Sequence, residues 1–170
     1  MKIKSFQELF EMDLRYAYDC EQKLVKKAIP SMIEASKSPE LRRALEQHLE
    51  ETRTHVTRLE RVFGMCGAEP KTEGNDIIDE MKDATEDVVS ATEDTPSLRD
   101  AGLIACGNQV EHYEMAVYGT LESYARQLGL TEAASLLQQT LNEEKAADAK
   151  LTQIGETVVN PRATQERRAA

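Results

Sequence analysis

The sequence predicts an all-α protein organised as a four-helix bundle, and three observations lead to this fold class. Apolar residues recur every three or four positions along four long segments, which is the period of a helix, and no segment shows the alternation of a strand. Helix-capping residues, prolines and glycines divide the chain where those segments begin or end. A chain of 170 residues is long enough to enclose one core of this kind.

The first two helices are predicted to form an antiparallel hairpin. A capping box that begins at Ser5 opens the first helix, and Pro30 is expected to kink that helix or to end it early. Ser38 followed by Pro39 opens the second helix, which is expected to run to about Phe63. Because only a few residues join the two helices, they should be neighbours in space.

A second hairpin is predicted beyond a long crossover. Thr95 followed by Pro96 opens the third helix, Gly129 ends it, and Thr131 is expected to cap the fourth. About thirty residues separate the hairpins, which is long for a bare loop. An amphipathic pattern opened by Asn75 predicts a fifth helix there. Two hairpins joined by one long crossover are the ferritin-like arrangement of a four-helix bundle.

The composition excludes several classes of protein. The net charge of −10 argues against a surface that binds nucleic acid. No apolar run approaches the roughly 20 residues that cross a bilayer, so we expect no membrane partner. The amino-terminal segment carries acids and no apolar signal core, which predicts a cytoplasmic protein. The bundle is predicted to cover residues 1–160, and residues 161–170, without an apolar face, are predicted to form a mobile tail.

Six polar side chains are predicted at core-facing positions or, for Glu51, at the edge of the apolar face of its helix, with a spacing that both hairpins share. In each hairpin, a glutamate on the first helix is followed by a second glutamate 30 residues later and by a histidine or aspartate 34 residues later. The two sets are offset by 93 residues, and all six side chains are predicted to lie at a similar height in the bundle. The six residues are Glu21, Glu51, His55, Glu114, Glu144 and Asp148.

These residue types predict a site for two metal ions and no organic cofactor. Carboxylates and imidazole suit iron or manganese, and bundles of this kind hold two ions between Glu and Glu-x-x-His motifs. This chain departs from that motif because its pairs are four residues apart and Asp148 stands where histidine is expected. The alternatives are a metal-free polar network, in which Arg15 or Arg53 reaches inward to satisfy the acids, and exposure of the acids at a dimer seam. We expect a structural role for His48 and a solvated or interfacial one for Glu111.

Three segments, HLEET, VEHYEMAVYGTL and LNEEKAADAKLT, resemble the bacterial YciF/YciE family of stress-associated ferritin-like proteins. The resemblance covers about residues 3–158 and implies a ferritin-like bundle, a homodimer and a bacterial cytosolic setting. Family members are often labelled ferroxidase-like. Arg53 stands where a histidine is expected in relatives. The polar motif residues carried over by position are Glu21, His48, Glu51, Glu111, His112, Glu114, Glu144 and Asp148.

Two classes of function remain open from the sequence. The first is a redox metalloprotein, in which a reduced pair of iron or manganese ions reacts with peroxide or oxygen and an unidentified redox partner restores it. The second is a metal-free scaffold that acts in the stress response by binding a partner. Metal content after purification separates the two classes.

Overall fold

Helices account for all the regular secondary structure in the computed structural model, which describes residues 2–166. The first hairpin consists of α1 (Phe6–Lys23), a π-helical turn (Leu24–Ala28), α2 (Ile29–Ala35) and α3 (Pro39–Met65). The crossover carries α4 (Asp76–Ala91). The second hairpin consists of α5 (Pro96–Gln127) and α6 (Thr131–Ile154), followed by a second π-helical turn (Gly155–Val159) and α7 (Asn160–Ala163).

The predicted helix starts are confirmed at three places by side-chain caps. The Glu8 backbone N–H donates to the Ser5 hydroxyl over 3.1 Å. Ser38 and Asn75 accept in the same way at the starts of α3 and α4. The prediction for Thr131 is wrong by one position, because Leu130 occupies the cap and Thr131 is the first residue of α6. Gly129 ends α5 with a φ of 75°, a conformation that favours glycine.

Pro30 does not end the first helix. A proline has no N–H, and its ring clashes with the carbonyl four residues earlier, which here belongs to Lys26. The π-helical turn Leu24–Ala28 lies over that carbonyl and widens the helix, so that the chain continues into α2. Pro161 follows the second π-helical turn at the same distance, two residues after its end.

The two hairpins pack into one bundle whose core has two apolar clusters. The first cluster includes Phe10, Leu59, Phe63, Leu121 and Leu137. The second includes Leu24, Leu41, Ile78, Leu103 and Ile154. Each long helix contributes to both clusters, so a layer of residues at the middle of every helix lies between them.

The crossover helix α4 packs against α5 at close range. A Cβ atom added to Gly102 would lie 2.4 Å from Cγ1 of Val88, so any larger residue would displace the Val88 side chain at this crossing. Asn75, at the start of α4, donates from its side-chain amide to the Tyr113 hydroxyl and to the Tyr16 carbonyl. These contacts fix the crossover against both hairpins. The fifth helix predicted from the sequence is therefore confirmed.

The carboxyl-terminal segment contacts the first turn of α5. Ala163 is buried, and the Glu166 carboxylate accepts the backbone N–H groups of Ser97 and Leu98 over 2.7 and 3.0 Å. Of the tail predicted over residues 161–170, residues 167–170 lie outside the described part of the chain. The division into a bundle and a mobile tail stays a prediction. Among the described residues, no helix is both long and apolar enough to cross a membrane.

Candidate metal centre

The layer between the two apolar clusters is polar, and all four long helices contribute to it. Five of its ionisable residues are less than 4% exposed, and a sixth, His48, has an 11% exposed side chain. Burying charged side chains is costly unless each finds an opposite charge or a hydrogen bond. The six residues are Glu21 on α1, His48 and His55 on α3, Glu111 and Glu114 on α5, and Glu144 on α6.

These residues form two groups that share one carboxylate. In the first group, ligand-type atoms of Glu21, His55 and Glu144 lie within 4.8 Å of one another. In the second group, the same holds for His48, Glu111, Glu114 and Glu144. The geometry therefore offers two positions for a cation, with the Glu144 carboxylate between them. A carboxylate has two oxygens and can bridge two ions.

Many of the buried polar atoms in this layer have no hydrogen-bond partner. They are one carboxylate oxygen each of Glu21, Glu111 and Glu114, both oxygens of Glu144, and the Nδ1 atoms of His48 and His55. An unpaired buried polar atom costs about 1–3 kcal/mol, and charged groups cost more. These oxygen and imidazole nitrogen atoms converge with no hydrogen-bond donor between them, and such an arrangement can ligate a divalent cation.

The orientation of His55 is set from outside the layer. Its Nε2 lies 2.9 Å from Oε2 of Glu143, and Arg58 holds that carboxylate with two guanidinium N–H groups. Glu143 thus accepts the Nε2 proton, so Nδ1 faces inward and offers its lone pair to the layer once it is deprotonated. Nδ1 lies 2.9 Å from Glu144 Oε1 and 3.5 Å from Glu21 Oε1, without hydrogen-bond geometry to either. A histidine held by an outer carboxylate is the usual arrangement of a metal ligand.

Burial raises the pKa values of three acids in the layer. Burial and the neighbouring glutamates raise the pKa of Glu111 to about 8, although His48 partly offsets them. Burial, with Glu144, Glu21 and Glu111 nearby, raises the pKa of Glu114 well above its usual value. The pKa of Glu21 is also raised by burial, despite the nearby His55 and Tyr118. Without a cation, burial therefore favours the protonated form of these three carboxyl groups.

The pKa values of the two histidines are raised as well. Burial alone would lower their pKa values. For His48 the carboxylates of Glu51 and Glu111 outweigh burial and raise the pKa to about 9. For His55 the carboxylates of Glu144 and Glu21 raise the pKa to about 11. The layer thus favours positive charge at its centre, which protons supply in the metal-free protein.

Two uncharged donors border the layer. The Tyr118 hydroxyl donates to Oε1 of Glu21, and both side chains are fully buried. The Cys20 thiol lies 3.8 Å from Oε1 of Glu114. Burial and the surrounding glutamates raise the pKa of the Cys20 thiol well above its usual value, so it stays protonated and acts as a donor.

Four of the six residues predicted from the sequence lie in this layer: Glu21, His55, Glu114 and Glu144. The other two lie outside both groups. The Glu51 side chain is 36% exposed, and its carboxylate is 3.8 Å from His48 Nδ1. Asp148 is 23% exposed and lies 3.3 Å from Nε2 of the exposed His112.

His48 and Glu111, expected to have other roles, belong to the layer instead. Two signals in the sequence point to them. Glu111 precedes Glu114 by three residues, which places both carboxylates on one face of α5. His48 precedes His55 by seven residues, about two turns of α3, so the two imidazoles project from the same side.

Neither of the arginines considered as an internal cation reaches the layer. The Arg53 side chain is 51% exposed and pairs with Glu50. Arg15 lies 3.9 Å from the Glu11 carboxylate one turn earlier on α1. Four carboxylates and two neutral imidazoles carry a charge of −4, which two divalent ions balance. The residues present therefore fit the predicted pair of metal ions.

Comparison with known proteins places this fold and sequence in one family. The family model described as "Domain of unknown function (DUF892)" matches residues 5–164. Protein YciF of Escherichia coli (strain K12) is 37% identical over 171 residues, which is 96% of this chain and 98% of that protein.

Solved structures agree with the sequence matches. The crystal structure of the E. coli stress protein YciF superposes with a TM-score of 0.88 at 35% identity, covering 93% of this chain and 99% of that one. YcfI from Rhodopseudomonas palustris gives 0.84 at 37% identity, over 89% and 95% of the two chains. A protein from Xanthomonas campestris gives 0.75 at 23% identity, over 95% and 98%, and supports the fold alone. The chain therefore belongs to the DUF892 family and is a homologue of YciF, which confirms the resemblance read from its sequence.

Proposed function

We propose that this protein binds two iron or manganese ions in the buried polar layer and uses them to consume peroxide or oxygen under stress. One observation supports the proposal. Carboxylate oxygens and imidazole nitrogens without hydrogen-bond partners surround Glu144 and converge on two positions in an otherwise apolar core. The stress role comes from the relative whose structure is described as that of the E. coli stress protein YciF. A cytoplasmic setting and a homodimer are parts of the same proposal.

The ligand chemistry favours iron or manganese over softer metals. Carboxylate and imidazole donors suit hard or borderline divalent ions, whereas thiolates select softer ones. The nearest thiol, that of Cys20, is kept protonated by burial and by the surrounding glutamates. A carboxylate can bind an ion through one oxygen or through both. The four glutamates can therefore adjust their coordination when the charge of the ions changes.

The chain's own residues prepare the site for redox chemistry. Bound ions would supply the two electrons that, with two protons, reduce hydrogen peroxide to two waters. Glu143 and Arg58 hold His55 in the orientation that ligation requires. Tyr118 holds one oxygen of Glu21 and leaves the other free. The apolar clusters keep water away from the layer on two sides, which strengthens the electrostatic interactions inside it.

Metal loading of the purified protein tests the proposal. The metal-free protein is titrated anaerobically with Fe²⁺, and we expect two ions per chain and a rise in melting temperature, because the folded state alone holds the site. Addition of hydrogen peroxide should then oxidise the iron with consumption of one peroxide for every two Fe²⁺. Glu144→Gln should bind fewer than two ions and show no rise in melting temperature on metal addition, since Glu144 belongs to both groups.

A matched control separates loss of the site from loss of surface charge. Glu132 lies on the same helix as Glu144, and its side chain is 72% exposed. Glu132→Gln should bind two ions as the wild type does. A wild-type protein that binds neither iron nor manganese would contradict the proposal and favour the metal-free scaffold. Binding without peroxide or oxygen consumption would contradict the redox role alone.

A further inference from the structure

A cleft opens from the protein surface onto the His48 side of the metal centre. It lies between α3 and α6 and has a volume of about 280 Å³. One water occupies about 30 Å³ of liquid, so the cleft accommodates an ion that keeps several of its waters. Three of its polar lining residues have metal-ligand side chains, namely Glu51, His48 and Glu111, and part of its wall consists of small side chains, namely Ala44, Ala146 and Ala147.

The three polar residues form a continuous series from solvent to the interior. The side chains of Glu51, His48 and Glu111 are 36%, 11% and 3% exposed, in that order. Glu51 Oε2 lies 3.8 Å from His48 Nδ1. His48 Nε2 lies 3.2 Å from Glu111 Oε1. Each step of the series therefore joins two atoms of metal-ligand type, and its last two residues, His48 and Glu111, already belong to the candidate metal centre.

His48 presents a free nitrogen to the outer end of this series. Its Nδ1 is buried and has no hydrogen-bond partner. Metal–nitrogen and metal–oxygen bonds are each about 2.0–2.2 Å long, so two donors of one ion lie up to about 4 Å apart. The 3.8 Å separation of His48 Nδ1 and Glu51 Oε2 falls within that limit.

We propose that Glu51 and His48 form a transfer site, which captures divalent ions at the cleft and passes them to Glu111 and the buried layer. This inference rests on the proposed function and assigns Glu51 a role in uptake rather than in the resident centre. The ion exchanges water for the Glu51 carboxylate, then for the His48 imidazole, and no redox change accompanies the transfer. Rotation of the imidazole would present the ion to Glu111.

Charge at the cleft should control the rate of capture. The Glu51 carboxylate attracts a cation at the mouth, while Lys150, which also lines the cleft and is exposed, repels it. Electrostatic attraction of this kind changes association rates by about tenfold or more. We therefore expect opposite effects from removing the two charges: Glu51→Gln slows uptake, and Lys150→Gln accelerates it.

The test is the rate of Co²⁺ uptake by the metal-free protein, followed by visible absorption in a stopped-flow instrument. We expect Glu51→Gln to lower the association rate constant by about tenfold while two ions still bind at equilibrium. Ala147→Phe should slow uptake by filling the cleft without removing a ligand. The matched controls are Glu50→Gln, one residue away with a 68% exposed side chain, and Ala149→Phe, exposed on the same helix as Ala147.

Each outcome of this experiment has a distinct reading. Unchanged rates in both Glu51→Gln and Ala147→Phe would overturn the transfer site and leave the proposed function intact. A drop in stoichiometry for Glu51→Gln would also overturn it, because Glu51 would then be a resident ligand. Wild-type protein that binds no Co²⁺, Fe²⁺ or Mn²⁺ would overturn the proposed function, and the transfer site with it.

Discussion

Glu143 and Glu144 contact opposite nitrogens of one imidazole, that of His55. Nε2 lies 2.9 Å from Glu143 and Nδ1 lies 2.9 Å from Glu144. The two glutamates are consecutive on α6, yet Glu143 is 31% exposed and Glu144 is fully buried. Glu143 therefore keeps the proton of His55 on Nε2. Glu144 and Nδ1 of His55 face the same candidate position for a cation.

Replacing the outer carboxylate should weaken metal binding without removing a ligand. In Glu143→Gln the amide can donate to His55 Nε2 as well as accept from it. The proton of the imidazole can then move to Nδ1, which removes the lone pair that faces the layer. Loss of an outer partner of this kind typically costs 10–100-fold in metal affinity. Competition titration of Co²⁺ against a chelator measures the change. Equal affinity in wild type and variant would contradict the assigned orientation.

Asp148 should be dispensable for metal binding. It lies outside both groups and pairs with His112 at the surface. Asp148→Asn should therefore still bind two ions, whereas Glu114→Gln, which removes a fully buried carboxylate, should bind one ion fewer or none. Equilibrium dialysis with metal analysis measures both stoichiometries. A loss in Asp148→Asn equal to that in Glu114→Gln would restore the ligand set predicted from the sequence.

The metal-free protein should lose stability as pH rises. The pKa of His48 is raised from 6.5 to about 9 in the folded state, so its contribution is full below pH 6.5 and is lost as pH approaches 9. The pKa of Glu111 is raised from 4.5 to about 8, so its contribution is full below pH 4.5 and is lost as pH passes 8. Both groups therefore lower the free energy of unfolding as pH rises.

Urea unfolding in the presence of a chelator measures this dependence. The midpoint should fall between about pH 5 and about pH 9, and the fall should be smaller with metal bound, because the ions replace the protons. A midpoint that is constant or rises over this range would contradict the protonated state assigned to the empty layer.

Removing the Tyr118 hydroxyl should destabilise the fold through Glu21. Tyr118→Phe leaves a buried carboxylate oxygen without its donor, which costs about 1–3 kcal/mol. The pKa of Glu21 should also rise further, since the Tyr118 hydrogen bond lowers it. Tyr18→Phe is the matched control, because Tyr18 makes a 2.9 Å hydrogen bond to Glu60 at the surface. Chemical denaturation should show a smaller loss for the control, and equal losses would contradict the role given to Tyr118.

The homodimer implied by the family resemblance remains a prediction. Phe6, Ile77 and Leu98 are exposed apolar side chains, 41%, 54% and 42% accessible in the single chain. Twofold dimers are the commonest closed assemblies. Light scattering at micromolar concentration should give twice the chain mass of 19.1 kDa. A mass of one chain would contradict the prediction.

The sequence alone determined the helices and their order, because the signals for both are local. Capping residues such as Ser5, Ser38 and Asn75 act within one turn, and apolar periodicity reports the buried face of each helix directly. Connection lengths then select antiparallel neighbours and a long crossover. The repeated spacing also identified Glu21, Glu114 and Glu144 as core-facing acids, since each interrupts an apolar line.

The tertiary structure decided which polar residues meet, because that depends on how each helix is rotated and shifted against the others. On α3, Glu51 is turned about 60° away from the line of His48, whereas His55 returns to within about 20° of it. The packing of α3 on α6 directs that line inward, so Glu51 lies at the mouth of a cleft and His48 beside Glu111. On α6, Asp148 lies one turn beyond Glu144, outside the polar layer. Spacing along a chain specifies neither a rotation nor a height, and only the packed bundle specifies both.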